Sequence, residues 1–166
     1  MPSSDEPIER VILDICRGQG WTIGTAESCT GGLVAARLTS VPGSSDVFVG
    51  GLVTYANATK MALLDVPEEL LELHGAVSPQ VADAMVRGAR ARLRSDIAVA
   101  VTGIAGPGGG SPAKPVGLVH LAAAGPSASL TRELHATGER EAIRTQAATA
   151  ALELLLQLCH RELTDV

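Results

Sequence analysis

Five consecutive apolar residues, Ile97-Ala98-Val99-Ala100-Val101, run straight into Thr102-Gly103-Ile104-Ala105-Gly106-Pro107-Gly108-Gly109-Gly110. Successive side chains of a strand point to opposite faces of its sheet, so a strand without a polar position must be covered on both sides. The run therefore predicts a central strand between two layers of helix. The glycine-crowded segment lies just past that strand's C-terminal end, where open α/β sheets bind ligands.

The rest of the chain supplies the expected helices and further strands. Ile8, Val11, Ile12 and Ile15 share one helical face, and Gly18 and Gly20 punctuate its end. Residues 21–25 form a short β-prone run that leads through Glu27-Ser28-Cys29-Thr30-Gly31-Gly32 into an apolar helix over 33–38. After the turn chemistry of Pro42-Gly43-Ser44-Ser45, residues 47–56 read as a buried strand with a bulge or close contact at Gly50-Gly51. Residues 60–64 and 67–73 are short helical pieces. Ser78-Pro79 is an N-cap followed by proline at the first helical position, and Ala82, Met85, Val86, Ala89 and Leu93 form the stripe of the helix it opens. Residues 116–124 and 130–136 read as strands joined by a hairpin at Gly125-Pro126-Ser127. A long amphipathic helix follows from Glu139 through Ile143, Ala147, Ala151, Leu155 and Leu158. The expected architecture is one domain over residues 1–166, a three-layer α/β/α sandwich with a mixed, mainly parallel sheet.

Composition excludes several functions. Thirteen Lys and Arg against 18 Asp and Glu give a net charge of −5, which disfavours nucleic acid as a partner. Cys16, Cys29 and Cys159 are odd in number and widely spaced, which fits a reducing compartment rather than a disulfide scaffold. The N-terminal MPSSDEPIER has neither the basic nor the apolar region of a secretory signal, and no apolar run approaches a membrane span. A cytoplasmic protein is expected. The cysteines and histidines lack metal-ligand spacing, so no metal is expected.

Three glycine-rich polar loops are candidates for chemistry. In the first, Ser28 and Thr30 stand beside Gly31-Gly32 at a helix start, a place suited equally to an anion and to simple N-capping. In the second, Ser44 and Ser45 precede the strand that ends near Tyr55 and Lys60. In the third, residues 102–111, the glycines let backbone N–H groups approach an anion, although neither a P-loop nor a complete dinucleotide fingerprint is present. A serine nucleophile needs a base. His74, His120, His135 and His160 are scattered and no nucleophile-elbow pattern occurs, which disfavours a Ser-His-Asp triad. A buried lysine with a lowered pKa can replace histidine, and Lys60 is the candidate, against the ordinary alternative of a solvated surface charge. Ser111-Pro112-Ala113-Lys114 matches S-x-x-K, but its prolines and upstream glycines predict loop rather than the helix start that such a pair needs.

Taken together, the blocks TAESCTGGLVAARLTSVPGSS, GGLVTYANATK, HGAVS, VTGIAGPGGGSPAKPVG and GERE resemble the CinA C-terminal family in order and spacing over nearly the whole chain. The resemblance implies a nicotinamide mononucleotide deamidase, which hydrolyses the carboxamide to nicotinic acid mononucleotide and ammonia without cofactor. It also implies functional roles at Ser28, Ser45, Tyr55, Lys60, Thr102 and Arg140.

On these expectations Ser45 attacks the amide carbon, Lys60 takes its proton, and Tyr55 assists proton transfer to the leaving ammonia. Ser28 competes as nucleophile. Substrate contacts are expected from Thr30, Gly31 and Gly32, from Thr102, Gly103 and Gly106, and from Arg140 on the phosphate. The family often occurs fused behind a larger N-terminal domain, and a chain starting at the first helix favours a stand-alone enzyme. The alternatives are a non-catalytic nucleotide- or partner-binding module and an amidase for another small carboxamide. A homodimer is expected from the Ala- and Leu-rich helices.

Overall fold

The computed structural model describes residues 6–164, so part of the N-terminal segment read above, residues 1–5, lies outside the described residues. The elements in chain order are α1 (Ile8–Gln19), β1 (Ile23–Glu27), α2 (Leu33–Thr39), a 3-10 turn (Ser44–Asp46), β2 (Phe48–Val53), α3 (Asn57–Leu64), α4 (Glu68–His74), α5 (Pro79–Leu93), β3 (Ile97–Gly103), β4 (Leu118–Ala124), β5 (Ser129–His135) and α6 (Arg140–Thr164).

The five strands form one sheet in the order β2-β1-β3-β4-β5, with β3 in the centre. β1 pairs in parallel with β2 and β3, while the β3–β4 and β4–β5 pairings are antiparallel. The sheet is mixed but half parallel, which corrects the mainly parallel expectation. A parallel return needs a crossover, usually helical, and residues 104–117 supply only a loop at the end where β3 stops. β4 therefore runs back beside β3, and the hairpin at 125–128 turns β5 around again.

The two faces of the sheet are packed differently. Ile97, Val99 and Val101 of β3 and Val119 and Leu121 of β4 join one core with α1, α2 and α6. The opposite face presents small residues, Ala26, Ala98, Ala100, Ala122 and Ala124, to Val81, Ala82, Met85, Val86 and Ala89 of α5. Five small side chains in that layer leave room for α5 to lie close to the sheet. α5 starts as expected, with the Ser78 hydroxyl accepting from the Val81 N–H and Pro79 at the first position.

α6 is buried along Ala147, Ala148, Ala150, Ala151, Leu154, Leu155 and Leu158. These residues suggested a helix-mediated self-contact in the sequence, and the fold spends them inside one chain. Among the described residues, no helix is long and apolar enough to cross a membrane.

Candidate active site

Because β1, β2 and β3 are parallel, their C-terminal ends lie side by side, and the chain leaves them at Ser28, Thr54 and Ile104. A cleft of about 270 Å³ opens there, lined by Ser28, Cys29, Tyr55, Lys60, Thr102, Gly103, Gly106 and Arg140 among others.

Lys60 lies in the second turn of α3 and is only 1% exposed. Helical side chains lean toward the helix N-terminus, so Lys60 folds back over the segment that leads into its own helix. Its Nζ donates to the Thr54 carbonyl at 2.7 Å and the Tyr55 carbonyl at 3.1 Å, and it lies 3.0 Å from Ser28 Oγ. Burial disfavours the charged ammonium and lowers its pKa from 10.5 to about 8. In the neutral amine the two carbonyls hold both hydrogens, and the lone pair is left facing the Ser28 hydroxyl. This is the geometry of a serine with its general base.

The neighbouring Cys29 is 5% exposed, and burial pushes its thiol up to about 11. It stays protonated near neutrality and is therefore a poor nucleophile.

Ser45 is not at this site. It is exposed in the 3-10 turn before β2, while Tyr55 and Lys60 follow the other end of that strand. Six residues of strand separate the ends by about 20 Å, since each residue advances roughly 3.3 Å. The expectation that β2 links Ser45 to Lys60 overlooked that a strand carries its two ends apart.

Thr30, Gly31 and Gly32 are also not among the residues lining the cleft. The α2 N-terminus beside them is occupied by Glu27, a 1% exposed carboxylate. Glu27 accepts from the Thr30 hydroxyl at 2.6 Å, the Val34 N–H at 2.8 Å and the Ala35 N–H at 3.1 Å. The helix dipole and its free donors thus already have their anion.

Thr102 and Gly103 do line the cleft, the Thr102 hydroxyl donating to the Ala76 carbonyl at 2.8 Å and holding the α4–α5 connection as one wall. Tyr55 differs from its expected role. Its ring is 59% exposed at the mouth, and its hydroxyl accepts from Arg140 at 2.9 Å rather than reaching the Ser28–Lys60 pair. Arg140 also donates to the Gly106 carbonyl at 2.6 Å. Among the described residues, the N–H groups of Cys29, Ala105, Gly106, Gly108 and Gly109 donate to no other residue, which leaves the Ser28 loop and the glycine loop rich in free donors.

Ser111 and Lys114 form no catalytic pair: the Ser111 hydroxyl accepts from the Lys114 backbone N–H, and the Lys114 amine donates to the His74 carbonyl. Sequence reasoning gave no role to Glu27 or to Arg144. Arg144 donates to the carbonyls of Cys29 and Thr30, both at 3.1 Å, and so braces the Ser28 loop from α6. Its only signal in the sequence is a position one helical turn after Arg140. Among the described residues, no cluster of three or more His, Cys, Asp or Glu is arranged to hold a metal.

The family model described as CinA C-terminal domain matches residues 5–159. The chain belongs to the CinA C-terminal domain family. A CinA-like protein of Geotalea uraniireducens is 49% identical over 164 residues, covering 96% of this chain and 39% of the relative. One from Parasynechococcus marenigrum is 58% identical over 124 residues, 75% of this chain and 30% of its own. The chain thus spans well under half the length of these curated relatives. Among solved structures, the competence/damage inducible protein CihA from Agrobacterium tumefaciens superposes with a TM-score of 0.89 at 48% identity, covering 91% of this chain and 93% of that one. A CinA superfamily protein from Escherichia coli gives 0.86 at 33% identity, with 95% and 94% covered. This CinA C-terminal domain therefore keeps the family fold around the cleft.

Proposed function

We propose that this CinA C-terminal domain hydrolyses the carboxamide of nicotinamide mononucleotide, with Ser28 as nucleophile and Lys60 as base. The observation that carries the proposal is the buried Lys60 amine, 3.0 Å from Ser28 Oγ and held on its other two sides by carbonyls. A pKa of about 8 leaves roughly one amine in ten neutral at pH 7, a useful fraction for a general base. The substrate comes from the family resemblance.

Ser28 Oγ bonds to the amide carbon as its proton passes to Lys60 Nζ. The uncommitted N–H of Cys29, next after the nucleophile, serves as an oxyanion donor. Collapse of the tetrahedral intermediate breaks the C–N bond, and the Lys60 ammonium gives its proton to the departing ammonia. Water, deprotonated by Lys60, then attacks the ester; the bond between the acyl carbon and Ser28 Oγ breaks, Lys60 returns the proton to Ser28 Oγ, and the acid leaves with both residues restored. Arg140 and the free N–H groups of the glycine loop bind the phosphate, with Tyr55 orienting the guanidinium. The proposal includes no metal or cofactor, and it extends to a cytoplasmic homodimer.

The test is ammonia release from nicotinamide mononucleotide by the purified protein and by Lys60→Met. Turnover by the first and its loss in the second are expected. A folded wild-type protein that releases no ammonia from pH 6 to 9 overturns the reading.

A further inference from the structure

A second cavity, of about 460 Å³, adjoins the catalytic cleft and shares Ala105 and Arg140 with it. Its remaining walls include Pro107 and Val116, which are apolar, and Glu139 and Glu141, which bear carboxylates. Those carboxylates are not equivalent. Glu141 is bound to Arg144 at 2.6 Å, whereas the Glu139 side chain has no hydrogen bond or ion pair among the described residues. The catalytic cleft itself, at about 270 Å³, falls short of the roughly 300–1,000 Å³ of pockets that enclose a whole drug-sized ligand. It suits the ring that bears the carboxamide and leaves the rest of a nucleotide to lie elsewhere.

We propose that the second cavity is the glycosyl subsite and that Glu139 is its specificity-determining residue, a proposal that rests on the deamidase reading above. A substrate whose carboxamide meets Ser28 crosses Arg140 to enter this cavity, because Arg140 is a wall of both chambers. One face of the ribose packs on Pro107 and Val116. The two Glu139 oxygens accept from the vicinal 2′- and 3′-hydroxyls, as a carboxylate does in other nucleotide sites. Glu139 and Glu141 repel phosphate from the cavity, which turns the 5′-phosphate back toward Arg140 and the glycine loop. A carboxylate at the head of α6 also complements the helix dipole. That role affects the melting temperature and is blind to the sugar.

The experiment compares KM and kcat of wild type and Glu139→Gln on nicotinamide mononucleotide and on its 2′-deoxyribosyl analogue, together with binding of D-ribose 5-phosphate followed by amide NMR. Loss of one hydrogen bond to a charged group predicts a KM about tenfold higher for Glu139→Gln on the natural nucleotide, with kcat within about twofold. The deoxy analogue should impose the same rise on wild type and add little in Glu139→Gln. Additive effects of the two changes, or an unchanged KM, overturn the subsite. If wild type turns over no carboxamide but D-ribose 5-phosphate shifts Val116 and Glu139 in a Glu139-dependent way, the deamidase reading falls and the subsite stands. Turnover without any such shift overturns the subsite alone.

Discussion

The carbonyl oxygen of Leu64, the last residue of α3, lies 2.0 Å from where a Cβ on Gly88 of α5 would be. α3 and α5 touch backbone to backbone at this point, and α3 is the helix that carries Lys60. In an open helix, Gly→Ala gains about 1 kcal/mol. Here the added methyl has to displace backbone, and overpacking of that kind costs roughly 1–3 kcal/mol. Gly88→Ala is therefore expected to lower the urea midpoint and, by displacing the helix that carries Lys60, to lower kcat as well. A stabilised and fully active Gly88→Ala protein would show that the contact does not position Lys60.

The pKa of Lys60 sets a pH dependence. Its neutral form is the active one, so log kcat/KM, which reports the free enzyme, should rise with unit slope below about pH 8 and level off above. The same value bears on stability. The folded pKa of about 8 lies below the ordinary 10.5, so the unfolded chain holds more protons between these values. The Lys60 contribution to stability accordingly rises with pH across that window and is at its least favourable below about 8. Urea unfolding of wild type and Lys60→Met at pH 7.5 and 10 checks this, the wild type gaining relative to the variant. A flat rate profile from pH 6 to 9 would remove Lys60 as the base.

Glu27 has a structural task that can be separated from chemistry. Glu27→Ala leaves the Thr30 hydroxyl and the Val34 and Ala35 N–H groups at the buried end of α2 without their acceptor. Unpaired buried donors cost roughly 1–3 kcal/mol each, so the variant is expected to lose several kcal/mol in chemical denaturation. An unchanged midpoint would mean that the α2 terminus finds other partners.

Arg140 is predicted to act on binding rather than on the chemical step. Arg140→Ala should raise KM for nicotinamide mononucleotide at least tenfold, as expected for a lost charge-assisted bond. It should affect nicotinamide riboside, which lacks the phosphate, much less. Steady-state kinetics on both substrates checks this, and equal losses would place the phosphate elsewhere.

The fold was legible wherever burial dictates pattern. The unbroken run at Ile97–Val101 marks the central strand, and Ser78-Pro79 marks the start of α5. Strand direction was harder to read: the glycines and prolines of residues 104–117 do mark a loop, but the mainly parallel expectation did not draw its consequence, that β4, with no helical crossover before it, runs antiparallel to β3. In the site, Lys60 was readable as the one lysine that follows a strand and a tyrosine. Its partner was not. The choice between Ser28 and Ser45 depends on which end of β2 each occupies, and that follows from parallel pairing to β1. The Thr30-Gly31-Gly32 reading failed for a related reason: the donors at a helix start carry no mark in the sequence of whether a side chain such as Glu27 already fills them.

The most direct test is to mix the protein with nicotinamide mononucleotide at pH 8, quench in acid within milliseconds to seconds, and read the intact mass and the modified peptide, for wild type, Ser28→Ala and Ser45→Ala. An acyl adduct on Ser28 is expected in wild type and in Ser45→Ala. Ser28→Ala should form none and lose about a thousandfold or more of its ammonia release, as removal of a nucleophile does. An adduct that persists in Ser28→Ala and disappears in Ser45→Ala would contradict the assignment of the Ser28–Lys60 pair.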